Sequence, residues 1–156
     1  MADRDQPGGP ARPDRPATLE ETTRSGPGRM LIAVYGIFAV AATARSAVQL
    51  ATRFEQAPLA YALSAFAAVV YVVATAALAG VVSRRVAYLA CGVELAGVVV
   101  VGAASLLFAG AFPDATVWSG FGGGYGFVPL VLPVLGLLWL RHTGRAQLDR
   151  TTTSTQ

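Results

Sequence analysis

Residues 59–82, LAYALSAFAAVVYVVATAALAGVV, run for 24 positions without a charge. About 20 residues cross a ~30 Å hydrocarbon core at ~1.5 Å per residue, so this run spans a bilayer with room for tilt. Pro58 suits the first turn of that helix, where its missing N–H costs little. Three further apolar segments share the chain: about 30–51, 86–112 and 127–141. The last has only 14 residues in its apolar part, FVPLVLPVLGLLWL, or ~21 Å, short for a full crossing. The glycine-rich stretch before it dips toward lipid, or the bilayer thins around it. Pro129 suits a helix start and Pro133 predicts a kink.

The expected fold class is therefore all-α, a polytopic membrane protein with four transmembrane helices in residues 30–141. Residues 1–29 and 142–156 are expected as disordered cytoplasmic tails. The first is rich in Pro, Gly, Arg and acids and cannot bury enough surface to offset its ordering entropy. Thr18 and Glu21 have capping-box spacing, but no apolar run follows them. Met30 is an alternative start site.

The charges sort by segment. Only 13% of the 156 residues are charged, about half the ~25% of soluble domains. All twelve basic residues are arginine, and they flank the apolar runs. That placement favours topological anchoring over nucleic acid as the reason for the net positive charge. Arg24 and Arg29, Arg84 and Arg85, and Arg141 and Arg145 all fall on one side if both termini are cytoplasmic, as the positive-inside rule prefers. The expected location is a bacterial inner membrane. Trp118 and Trp139 then fall at opposite interfaces, as an aromatic belt would place them.

Arg45 is the exception to that pattern. Tyr35, Phe38, Ala42, Arg45, Gln49 and Thr52 repeat with 3,4 spacing, so they share one helical face that should turn toward other helices. A central arginine costs about +2.5 to +3.5 kcal/mol on insertion scales, which makes burial against partners a functional hypothesis. The competing reading is a snorkelled arginine, although its side chain leans back into the bilayer in this topology. A third reading takes Ala42-Thr43-Ala44 as a signal-peptide cleavage site, with Arg45 as the mature N-terminus.

Glu94 is the other intramembrane charge, and Cys91 is its i,i+3 neighbour. An axial gap of ~10 Å separates it from Arg45, so a direct ion pair needs helix shift, tilt or a water. Glu94 reads either as a carboxylate that binds protons or a cation, or as a hydrogen-bonded side chain holding helices together. Ala90 and Gly97 leave room for a neighbouring backbone.

The loop PDATVWSGFGGGYGF, residues 113–127, fails the dinucleotide-binding glycine spacing because Tyr125 occupies the last glycine's place. It also lacks a lysine for a phosphate loop. Trp118, Phe121 and Tyr125, with Phe127, are expected as anchors at the lipid interface. A lone cysteine and a lone histidine build neither a disulfide nor a zinc site, and no catalytic triad or carboxylate pair can be assembled. No enzyme activity, cofactor or metal is expected.

ARSAVQLATRFEQAPLAYALSAFAAVVYVVATAAL together with FPDATVWSGFGGGYGFVPLVLPVLGLLWLR resembles a family of small actinobacterial four-helix integral membrane proteins. The resemblance covers about residues 30–141. It implies the four-helix topology and assigns no chemistry to any residue. The motif of small multidrug transporters, an acidic residue in the first helix, is not present, since Arg45 occupies that helix. The expectation is a non-enzymatic membrane protein acting through helix packing or protein partners, its partners being the lipid bilayer and a second copy or another membrane protein. The alternative is a small transporter or channel subunit using Glu94 and Arg45.

Overall fold

Among the described residues, four α-helices form where the apolar runs lie: α1 (Gly26–Thr52), α2 (Pro58–Leu78), α3 (Arg84–Leu107) and α4 (Val128–Thr153). The structure, a computed structural model, describes residues 26–153, with side chains through residue 144. No strand occurs among the described residues. The tail expected over 1–25, the Thr18–Glu21 pair and residues 154–156 lie outside them. Gly26–Arg29, expected within the first tail, instead forms the opening turn of α1. Likewise α4 continues beyond Arg141 to Thr153, because a helix already nucleated by its apolar half adds one hydrogen bond per further residue.

Helix ends follow from local chemistry. Gly80 takes φ +82°, its N–H bonds Ala77 O, and the Val81 N–H reaches back to Ala76 O. This is a Schellman closure, with glycine at the position that must be left-handed. It stops α2 at Leu78 although the apolar run continues to Val82. Pro58 opens α2 at its first position. At the far end of α3, the expected helix to residue 112 breaks at Phe108 and gives way to a 3-10 turn, Ala109–Ala111. Gly110 and Pro113 follow in the sequence, and both disfavour helix continuation.

α1, α2 and α3 are each long and apolar enough to cross a membrane. Ser119–Tyr125 and Val128–Gly144, bent by 100° at their junction, make a fourth span if taken together. The helices alternate in direction, so the connections 53–57 and 108–127 share one end of the bundle, called here the loop end. Residues 79–83 and the start of α1 lie at the opposite end. α1 packs on α2, α2 on α3, and α3 on α4 and the long connection, whereas α1 and α4 meet only sparsely.

The distribution of side-chain size inverts that of a soluble protein. Ala60, Ala67, Ala68, Ala74 and Ala77 fill the interior face of α2, while Ile37, Leu89 and Val100 stand 66%, 67% and 65% exposed. Small residues inside let helix backbones approach, and large aliphatic ones outside suit a hydrocarbon solvent. α1 runs unbroken through Ala42-Thr43-Ala44, so cleavage there would cut inside a helix.

Candidate functional site in the bundle interior

The polar side chains within the spans gather at two levels. The inner level centres on Glu94 of α3, which is 0% exposed. Tyr35 of α1 donates its hydroxyl to Glu94 Oε2 at 2.8 Å, and the same hydroxyl lies 3.6 Å from Cys91 Sγ. The 3,4 stripe on α1 explains why Tyr35 points inward, and the i,i+3 spacing explains why Cys91 and Glu94 meet it together. Gly136 of α4 completes the ring. A Cβ there would fall 2.9 Å from Cys91 Sγ and 3.4 Å from the Tyr35 hydroxyl, so only glycine lets α4 close on this pair.

Tyr71 of α2 and Trp118 of the long connection reach the same level. The Tyr71 hydroxyl lies beside both the Glu94 carboxylate and the Trp118 indole. Three atoms there have no hydrogen-bond partner: Glu94 Oε1, the Tyr71 hydroxyl and Trp118 Nε1. The Tyr71 hydroxyl stands between the other two, with the carboxylate acceptor on one side and the indole N–H donor on the other.

Trp118 corrects the expectation of an interfacial anchor. It is 1% exposed and seated on Gly97, where a Cβ would lie 2.4 Å from the indole ring. Gly97 is ten residues before the end of α3, so the connection carries its tryptophan ~15 Å into the bundle. Phe121 also turns inward: a Cβ on Gly102 would meet its ring at 2.6 Å and its backbone nitrogen at 2.8 Å. Phe121 takes φ +59°, an uncommon conformation for an aromatic residue, held by the packing around it. Phe127 does face outward, as does part of Trp139.

The second level lies nearer the loop end. Arg45 donates to the Tyr125 hydroxyl and to Ala115 O at 2.9 Å, and its guanidinium lies 5.9 Å from the Tyr125 ring centre. Tyr61 of α2 donates to Asp114 of the connection. Ser105 of α3 accepts from the Gly120 N–H at 2.9 Å. Thr116 and Ser119 bond each other at 3.1 Å, and the Thr116 hydroxyl accepts the N–H groups of Trp118 and Ser119. Three helices thus tie the connection down, and it is ordered by its own turn chemistry.

Arg45 and Glu94 therefore have separate partners. Tyr35 and Arg45 are ten residues apart on α1, ~15 Å along the axis, and Tyr35 is the residue that holds Glu94. Gln49 lies one turn beyond Arg45, half-buried, with its Oε1 unpartnered. The four intramembrane candidates thus divide: Cys91 with Glu94 at the inner level, Gln49 with Arg45 at the outer. Tyr71 was hidden from sequence reasoning inside an uninterrupted apolar run. Asp114 and Ala115 carried no signal at all, because their roles depend on where the connection folds. Among the described residues, no group of three or more His, Cys, Asp or Glu gathers that could hold a metal ion.

Compared with family models, curated proteins and solved structures, the chain gives no match.

Proposed function

We propose that the chain is a four-span protein of a bacterial inner membrane, with both termini cytoplasmic, that works without catalysis by presenting a rigid bundle to a membrane-protein partner or a second copy. The observation that carries this reading is the sealing of its interior. Glu94 and Trp118 are both buried in the bundle, and the connection bearing Trp118 is bonded to α1, α2 and α3. A transporter needs a polar interior that opens to water, and Arg45 and Glu94 sit at separate levels with separate partners. The orientation rests on Arg29, Arg84, Arg85 and Arg141, which share the end opposite the long connection.

The competing reading is a small proton- or cation-coupled transporter, favoured by the unpartnered Glu94 Oε1 beside Tyr71. Flux measurement separates them. Vesicles containing the full chain should pass protons no faster than empty vesicles under an imposed pH gradient. A flux that Glu94→Gln abolishes would establish transport and overturn the proposal. Reporter fusions at Glu55 and Ser83 check the orientation, with only the Glu55 fusion expected outside.

A further inference from the structure

One face of α1 runs along the open side of the bundle. Met30, Leu31 and Val34 form one wall of a groove of about 600 Å³, and α4 from Val128 to Trp139 forms the other. One turn further, Ile37, Ala41 and Arg45 carry the same face into a second cavity of about 220 Å³, roofed by Val117 and Tyr125. The two cavities share no lining residue but are neighbours along the chain: Val34 and Ile37 are i,i+3 on α1, and Tyr125 and Gly126 are consecutive at the lip. The result is an apolar lane that ends at a guanidinium.

That guanidinium has five N–H donors, and its two partners, Tyr125 and Ala115, are neutral acceptors. Asp114, one residue from Ala115, is engaged by Tyr61. Ser46 lines the same cavity, is 4% exposed, and its hydroxyl has no partner. A buried hydroxyl without a partner is costly. A cation and a free hydroxyl facing one small cavity call for an anionic oxygen.

We propose that this seam binds an anionic phospholipid of the surrounding bilayer, with its phosphate at Arg45 and Ser46 and one acyl chain in the α1/α4 groove. Arg45 lies seven residues short of the end of α1, ~10 Å below it, a depth suited to a headgroup meeting the acyl region. From Arg45 to Pro27 the lane runs ~27 Å, so it accommodates a chain that reaches the ~15 Å to the bilayer midplane. Charge complementarity selects lipid over a second copy of this chain. On a second copy the acidic side chain within the spans, Glu94, is buried, and the exposed Glu55 lies in the connection beyond the end of α1, above the depth of Arg45.

Native mass spectrometry of the full chain, released from bilayers of phosphatidylcholine with and without phosphatidylglycerol, tests this. The wild type should retain phosphatidylglycerol in preference to phosphatidylcholine, and Arg45→Gln should lower that retention about tenfold or more, as expected for a charge-assisted hydrogen bond. Arg45→Lys should keep most of it. Ala41→Phe, which fills the lane and leaves the arginine, should also lower retention, so the proposal stays testable if Arg45→Gln fails to fold by circular dichroism. Inorganic phosphate in excess should not displace the lipid. Equal retention of the two lipids, unchanged retention in both Arg45→Gln and Ala41→Phe, or displacement by inorganic phosphate would each overturn it.

Discussion

Glu94 and Arg45 are both charges set among apolar helices, and the chain handles them in opposite ways. Glu94 is buried at mid-bundle among Tyr35 of α1, Tyr71 of α2 and Cys91 of its own helix. It keeps a close partner, Tyr35, on a helix 59 residues away in sequence. Arg45 sits half-exposed near the loop end, and its partners come from a connection that turns back to meet it. The carboxylate organises helix–helix contact, whereas the arginine organises a loop and leaves donors facing a cavity. A single kind of residue, an intramembrane charge, thus serves closure in one place and access in the other.

The two levels are joined by Trp118, and removing its seat is the harshest way to break the contrast. Gly97→Leu puts a branched side chain where even a Cβ lies 2.4 Å from the indole. The tryptophan must leave, and the expected loss is about 3 kcal/mol, at the upper end for overpacking. In a Trp139→Phe background the fluorescence of Trp118 should shift toward the red and become open to an aqueous quencher. An unshifted spectrum would mean that the connection does not occupy the bundle.

The next test separates the levels by hydrogen bond. Tyr35→Phe removes the donor to Glu94 while keeping the ring, and should cost about 1 kcal/mol, typical of a hydrogen bond between membrane helices. Tyr125→Phe removes one of two acceptors from Arg45, whose guanidinium reaches solvent or lipid phosphate instead, so about 0.5 kcal/mol is expected. Reversible unfolding in mixed micelles gives both values. Equal losses would erase the distinction between an enclosed charge and an accessible one.

The inner level was partly written in local spacing. The 3,4 stripe from Tyr35 to Thr52 placed Tyr35 and Arg45 on an inward face, and the i,i+3 spacing joined Cys91 to Glu94. Counting residues along two helices gave an axial gap of ~10 Å between Arg45 and Glu94 and left open whether a shift, tilt or water joins them. The re-entry of the connection was not written in local spacing. Tryptophan in a glycine-rich loop after an apolar run has the composition of an interfacial belt. What admits Trp118 and Phe121 to the interior is the absence of side chains at Gly97 and Gly102, on a different segment. Local pattern reports which face a residue takes, but it does not report which distant glycine leaves it room. The end of α2 at Leu78 was legible in hindsight from Gly80, whereas hydropathy alone carried the helix on to Val82.

The smallest expected effect is the most decisive for the comparison. If Arg45 and Glu94 belong to independent clusters, a double-mutant cycle of Arg45→Gln and Glu94→Gln should be additive to within about 0.5 kcal/mol, as for sites well separated and without shared partners. The pair Tyr35→Phe and Glu94→Gln should couple by more than that, because one change removes the other's partner. A coupling between Arg45 and Glu94 above about 1 kcal/mol would require a network joining the two levels. Besides the connection that carries Trp118, one short route exists: Arg45 to Tyr125, Tyr125 to Phe38 at 6.2 Å between rings, and Phe38 to Tyr71 at 5.8 Å. The ring-to-ring contacts transmit position but no charge. Additivity would therefore place the electrostatic boundary of the bundle between Phe38 and Arg45, with everything inward of it closed and everything outward of it within reach of the lipid.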